Sequence, residues 1–113
     1  MEITQQQKDG ISILVVEGDL VAIESSLLEE KTLQATESSP QAIIFDLSQL
    51  SYIDSVGLGM IVQLNKKLSG MGVRLCFCCL SESVKRLFAV TRLDAVLEIF
   101  ADVEEAATAI SAD

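Results

Sequence analysis

A short and nearly uninterrupted apolar run constrains the fold of this chain more than any other feature. Residues 42–47 read Ala-Ile-Ile-Phe-Asp-Leu. Such runs are typical of strands that are covered on both faces, whereas a strand with one face in water alternates apolar and polar residues. The run therefore predicts a buried strand within a layered structure of helices and strands.

The segments around this strand alternate between strand-like and helix-like patterns. Further strands are predicted at residues 4–7, 11–17, 52–53, 73–80 and 97–100, and helices at 24–38, at 56–69, after Ser81 and around 103–110. The first two strands are joined too tightly to be parallel, because a parallel connection needs a long crossover. We therefore predict a single α/β domain over residues 1–113, with a mixed sheet of four to five strands packed with about four α-helices.

The charge balance excludes several classes of partner. Eight Lys and Arg against seventeen Asp and Glu give a net charge of −9. A chain this acidic repels nucleic acids and anionic membrane surfaces, but it suits a basic protein partner. The first ten residues are polar and the apolar runs are short, so we expect no leader segment, no membrane insertion and a cytoplasmic location.

The residue inventory argues against an enzyme. There is no histidine, which removes the commonest general base and the commonest metal ligand. Asp46 and Asp54 bracket a loop, but nothing in the sequence brings their carboxylates together. The phosphate-binding and dinucleotide-binding glycine motifs are absent. The sequence therefore predicts a protein without catalytic residues and without a cofactor.

Three cysteines, Cys76, Cys78 and Cys79, cluster in one apolar run. They could form a metal or redox site, but zinc needs further ligands at suitable spacing, and no CxxC motif or histidine supplies them. Neighbours along a strand also point to opposite faces. We therefore expect reduced, mostly buried cysteines that act as small apolar side chains, with no bound metal.

The segment Asp-Ser-Val-Gly-Leu-Gly at 54–59 lies between a strand pattern and the strongest helix pattern. This arrangement puts the Ser55 hydroxyl at a helix N-terminus, where backbone N–H groups favour anions. Ser55 is thus either a plain helix cap or a site where a phosphate is added. Gly57 and Gly59 would let a partner approach closely, whereas Leu58 is expected in the core.

This segment resembles the Asp-Ser-x-Gly-Leu-Gly signature of STAS domains, specifically that of bacterial anti-sigma factor antagonists. The resemblance extends over most of the chain, in the right order. It includes Gly-Asp-Leu at 18–20, Ile-Ile-Phe-Asp-Leu at 43–47, Ser-Val-Lys-Arg-Leu-Phe at 83–88 and Thr-Arg-Leu at 91–93. One departure is Val21, which stands where the family often has aspartate after the early turn.

The resemblance implies a partner switch rather than an enzyme. An unmodified antagonist binds an anti-sigma factor that is also a GHKL-type serine kinase, and so frees the sigma factor. The kinase then phosphorylates the serine of the motif, here Ser55, and a metal-dependent phosphatase of the PP2C type reverses the modification.

The resemblance and the position of the motif suggest seven partner-binding residues. They are Asp54, Ser55, Val56, Gly57, Gly59, Lys85 and Arg86, although the last two could equally be solvated charges on a helix face. The alternative within the same resemblance is a non-phosphorylated STAS subunit of an ABC-type lipid transport complex.

Overall fold

The computed structural model describes residues 1–112 of the 113-residue chain. Its strands are β1 (Glu2–Lys8), β2 (Ile11–Leu20), β3 (Ala42–Asp46), β4 (Leu50–Ile53), β5 (Arg74–Cys78) and β6 (Glu98–Phe100). Its α-helices are α1 (Ser25–Ala35), α2 (Ser55–Gly70), α3 (Glu82–Val90) and α4 (Val103–Ala112). None of the helices in this described part is long and apolar enough to cross a membrane.

The strands form one mixed sheet in the order β1-β2-β3-β5-β6, with β4 paired to β2 outside this path. β1 and β2 are antiparallel, as their tight connection predicts, and the other pairs are parallel. The carboxyl ends of the parallel strands therefore meet at one edge of the sheet, which is where ligand and partner sites of such folds usually lie.

Helices cover both faces of the sheet, as the apolar run at residues 42–47 predicts. Ile43 and Phe45 of β3 pack in the larger core together with residues of α1, α2 and α3. Ala42 and Ile44 face the opposite side, where they pack against α4. The two cores alternate along the strand with the period of two that a pleated strand imposes.

The sheet has six strands among the described residues, one more than the upper end of the prediction. The additional pairing arises because β2 does not end at Gly18, as the Gly-Asp pair suggests, but continues to Leu20. Gly18 adopts a φ of +101°, and the register with β4 shifts between Gly18 and Asp19. Glycine permits this irregularity, so the pair marks a bulge rather than a strand end.

The predicted strand at 73–80 is shorter in the structure and ends at Cys78. Cys79 follows with a φ of +65°, in the left-handed region that residues other than glycine rarely adopt. This turn overrides the alternation expected of strand neighbours. The Cys79 sulfur lies 3.2 Å from the Cys78 sulfur, so the two thiols lie side by side rather than on opposite faces.

Candidate partner-binding site

Ser55 is the first residue of α2 and is exposed, as its position before the helix pattern predicts. The N-cap of the helix is Asp54 rather than Ser55. Asp54 has an extended backbone, and its Oδ1 accepts a hydrogen bond from the Gly57 N–H at 2.8 Å. The Ser55 hydroxyl is therefore not the capping group of α2.

Asp54 also fixes the segment that links β2 to α1. Its Oδ2 accepts a hydrogen bond from the Ala22 N–H at 3.1 Å, and its own N–H donates to the Leu20 carbonyl oxygen at 3.1 Å. One carboxylate thus holds the loop at the end of β2 against the start of α2. Ser55 consequently projects from a platform built by two chain segments.

The two glycines of the motif have different surroundings. Gly57 is buried, and a Cβ built on it would collide with the Leu20 carbonyl oxygen. Because Gly57 is buried, we infer that glycine is needed at this position for the close packing of α2 against β2 rather than for a partner contact. Gly59 is exposed, and a Cβ there would meet nothing within 4 Å. Leu58 packs against the larger core, as its helical spacing predicts.

Three large apolar side chains near Ser55 are exposed, and we call them the apolar surface. They are Ile23, which is 85% exposed, Tyr52 at 58% and Val56 at 50%. Ile23 follows Ala22, which is bonded to Asp54, and Tyr52 pairs across the sheet with Asp19. Exposed apolar side chains on segments that adjoin Ser55 are candidate contacts for a protein partner. Sequence reasoning missed Ile23 and Tyr52, because neither belongs to a periodic pattern that predicts exposure.

Helix α3 lies beside the strand that leads to Ser55. A groove between β4 and α3 is lined by Ser51, Tyr52, Ile53, Ser83, Val84 and Leu87. Lys85 and Arg86 lie on the same helix and are exposed, and the Lys85 ammonium is 3.8 Å from the Glu82 carboxylate. Their exposure is compatible with a partner contact and equally with solvated charges.

The two aspartates that bracket the β3–α2 loop have separate structural roles. Asp46 Oδ1 accepts a hydrogen bond from the Ser48 N–H at 2.9 Å, which closes the turn after β3, whereas Asp54 caps α2. In the described structure, these two side chains therefore have the hydrogen bonds of a turn residue and of a helix cap. The Asp54 carboxylate therefore positions the start of α2, from which Ser55 projects.

The three cysteines lie mostly inside, as predicted, with Cys76 and Cys78 buried and Cys79 half-buried. Burial raises the pKa of the Cys78 thiol far above its ordinary range, and the Cys79 hydrogen bond and the Asp46 charge act in the same direction. Burial also raises the pKa of the Cys79 thiol. Both thiols therefore stay protonated at neutral pH and are poor nucleophiles in this state.

The STAS domain family model matches residues 2–106 of the chain. The chain belongs to the STAS domain family. An anti-sigma-B factor antagonist of Listeria monocytogenes is 31% identical over 99 residues, which are 88% of this chain and 86% of the relative. The anti-sigma-F factor antagonist RsfB of Mycobacterium tuberculosis is 24% identical over 108 residues, covering 96% of this STAS domain and 88% of RsfB.

Solved structures of other proteins have the same fold. The crystal structure of an anti-sigma factor antagonist from Mycobacterium paratuberculosis matches with a TM-score of 0.83 at 24% identity, over 97% of this chain and 93% of that one. The murine anion transporter Slc26a9 contains a region that matches with a TM-score of 0.83 at 19% identity, over 96% of this chain and 19% of the transporter. The fold therefore occurs both in small regulators and within a transporter.

Proposed function

We propose that this STAS domain is an anti-sigma factor antagonist that works by partner switching. In its unphosphorylated form it binds an anti-sigma serine kinase of the GHKL type, and phosphorylation of Ser55 releases it. A phosphatase of the PP2C type restores the binding form, and the exchange takes place in the cytoplasm. The domain itself performs no chemistry and acts as substrate and competing ligand.

The exposed Ser55 hydroxyl next to the apolar surface carries this proposal. A kinase can reach a hydroxyl that projects from a helix N-terminus, and the same partner can bury Ile23, Tyr52 and Val56 around it. Protein interfaces concentrate their binding energy in such central aromatic and aliphatic side chains. The names of the relatives, anti-sigma factor antagonists, support the same role.

The energetics of the proposed switch follow from charge burial. Phosphorylation adds about −1.5 to −2 charges at pH 7. Ser55 lies next to the Asp54 carboxylate in a protein that already carries −9, so nearby charges do not neutralise the phosphate. A phosphate without a matching cation in a desolvated interface costs several kcal/mol, and each 1.4 kcal/mol weakens binding about tenfold. Modification would then dissociate a micromolar complex.

The affinity test measures binding by calorimetry between the purified protein and a GHKL-type anti-sigma kinase from the same organism. Ser55→Ala should bind like the unmodified protein and stay bound when ATP is added, because it cannot be phosphorylated. Ser55→Asp should bind more weakly, with a smaller effect than phosphate because its charge is smaller. Ser51→Ala is the matched control, since Ser51 is also exposed and lies four positions earlier. Equal affinities for wild type, Ser55→Ala and Ser55→Asp would contradict the switch.

The modification test uses mass spectrometry after incubation with the kinase and ATP. Trypsin leaves Ser51 and Ser55 in one peptide, residues 32–66, so fragmentation must assign the phosphate. We expect it on Ser55 in wild type and in Ser51→Ala, and nowhere in Ser55→Ala. If the kinase leaves Ser55 unmodified and the protein copurifies with an ABC-type ATPase, the transport-subunit alternative replaces the switch.

A further inference from the structure

A cluster of side chains at the carboxyl edge of the sheet consists of Cys78, Cys79 and Asp46. The proposed partner switch does not use this cluster. Asp46 ends β3 and pairs in register with Cys78, which ends β5. The two sulfurs and a carboxylate oxygen all lie within 4.8 Å of one another. Within the part of the chain that the structure describes, this is the one group of three potential metal ligands so arranged.

The left-handed backbone of Cys79 creates this convergence. It brings the Cys79 sulfur to 3.2 Å from the Cys78 sulfur. The Cys79 thiol donates its hydrogen bond to the Cys78 sulfur, and an Asp46 carboxylate oxygen lies within 4.8 Å of both sulfurs. Cys79 and Val103 pack against the same core cluster. Val103 is the first residue of α4, so the cluster lies where two parallel strands end and a helix begins.

Contrary to the expectation from the sequence that no metal is bound here, we propose that Cys78, Cys79 and Asp46 bind a thiophilic divalent metal ion such as Zn²⁺ or Cd²⁺. Two thiolates and one carboxylate would be the protein ligands, and water would fill the remaining position. Binding releases the two thiol protons to solvent, so a divalent ion joins three anionic ligands and the site carries one negative charge. Two thiolates and a carboxylate are ligands that zinc accepts at tetrahedral sites.

The distance between the two sulfurs needs only a small adjustment to hold an ion. Two Zn–S bonds of about 2.3 Å at the tetrahedral angle separate the sulfurs by roughly 3.7 Å, compared with 3.2 Å in the structure. Cys79 is half-buried, so an ion can reach its sulfur from solvent. The Asp46 Oδ1 accepts a hydrogen bond from the Ser48 N–H, which restricts the orientation of the carboxylate.

The same geometry disfavours the alternative chemistry, a disulfide between the two neighbours. Cα atoms joined by a trans peptide are about 3.8 Å apart, whereas disulfides usually need 4.4–6.8 Å. The described chain contains no cis peptide bond. A metal bridges two adjacent thiolates without requiring that distance, so metal binding fits the cluster better than oxidation does.

The test titrates metal-stripped, reduced full-length protein with Cd²⁺ and follows the ultraviolet thiolate-to-cadmium charge-transfer band. Zn²⁺ is then measured by competition with a chromophoric chelator. We expect one ion per chain, a charge-transfer band and a higher Tm in the presence of the ion, because a ligand that binds only the folded state stabilises it. The absence of the band in the reduced protein would overturn the proposal.

Variants separate the proposed ligands from general effects of cysteine. Cys79→Gly removes a ligand while the positive φ at this position suits glycine, so the variant should fold and should lose the charge-transfer band. Asp46→Asn should weaken binding roughly tenfold or more, since even the outer partners of metal ligands have effects of this size. Cys76→Ala is the control on the same strand and should keep full binding. Equal binding by Cys79→Gly and wild type would contradict the assignment.

Discussion

Gly57 and Gly59 lie two positions apart in one helix, but only the second has room for a side chain. A Cβ at Gly57 would collide with the Leu20 carbonyl oxygen, whereas one at Gly59 would meet open space. Gly57→Ala should therefore destabilise the fold by about 1–3 kcal/mol through overpacking. Gly59→Ala should stabilise it by about 0.5–1 kcal/mol, because alanine has less backbone freedom to lose. Urea denaturation measures both, and a Gly57→Ala variant as stable as wild type would contradict the packing.

Asp54 should contribute more to stability than an ordinary helix cap. Its carboxylate accepts hydrogen bonds from the Gly57 and Ala22 N–H groups, whereas the hydroxyl of Ser81, the N-cap of α3, accepts a longer bond from the Val84 N–H at 3.3 Å. Replacing a cap by alanine costs about 0.5–2 kcal/mol. We expect the loss of stability in Asp54→Ala to lie at or above the upper end of this range, and the loss in Ser81→Ala to lie near its lower end. Chemical denaturation measures both. Equal losses would mean that the Ala22 bond contributes nothing.

The sequence predicted where Ser55 lies but not what surrounds it. The motif and the helix pattern were enough to predict Ser55 at an exposed helix start, because caps and periodicity are local properties. The exposure of Ile23 and Tyr52 and the burial of Gly57 depend on the pairing of β2 with β4. That pairing joins segments some thirty residues apart, which no local pattern encodes.

At the scale of elements, an ion pair connects two neighbouring strands. Arg74 of β5 binds Glu98 of β6 in a forked geometry, in which Nε donates to Oε2 at 2.8 Å and Nη2 donates to Oε1 at 2.6 Å. Both side chains are partly exposed, so solvent screens the interaction. A double-mutant cycle with Arg74→Met and Glu98→Gln should give a coupling energy of roughly 1 kcal/mol, the upper end for exposed pairs.

The matched control is the ion pair between α1 and α2. The Lys67 ammonium is 3.3 Å from the Glu29 carboxylate. Lys67 makes this single contact, whereas the guanidinium of Arg74 contacts its carboxylate in a forked geometry. Its coupling energy should stay below about 0.5 kcal/mol and vanish in high salt. A larger coupling for Lys67 and Glu29 than for Arg74 and Glu98 would contradict this ranking, which rests on the bidentate geometry.

Element prediction succeeded where the pattern was long and failed at chain reversals. The buried strand at 42–47 and the helix that begins at Ser55 were predicted within one or two residues, because burial on both faces and helical periodicity leave clear patterns. Because of the bulge at Gly18 and the turn at Cys79, β2 and β5 end at residues other than the predicted ones. In both places tertiary pairing decided the backbone conformation against the local signal.

For the molecule as a whole, the proposed switch requires that charge at Ser55 changes recognition and leaves the fold intact. Ser55 is exposed at the first position of α2, where a negative charge gains about 0.3–1 kcal/mol from the helix dipole. Repulsion from the neighbouring Asp54 and from the net charge of −9 opposes this gain. We therefore expect Ser55→Asp to change the free energy of unfolding by no more than about 0.5 kcal/mol, as for other exposed substitutions.

The measurement combines urea denaturation with partner affinity on the same preparations, and Ser51→Asp serves as the control for added charge on the same surface. Weaker partner binding by Ser55→Asp at unchanged stability would locate the effect at the interface, because an intact fold presents the same apolar surface with one additional charge. Loss of stability in Ser55→Asp but not in Ser51→Asp would mean that charge at Ser55 acts by loosening α2. Release would then follow from a change in the fold, and the interface mechanism would be wrong.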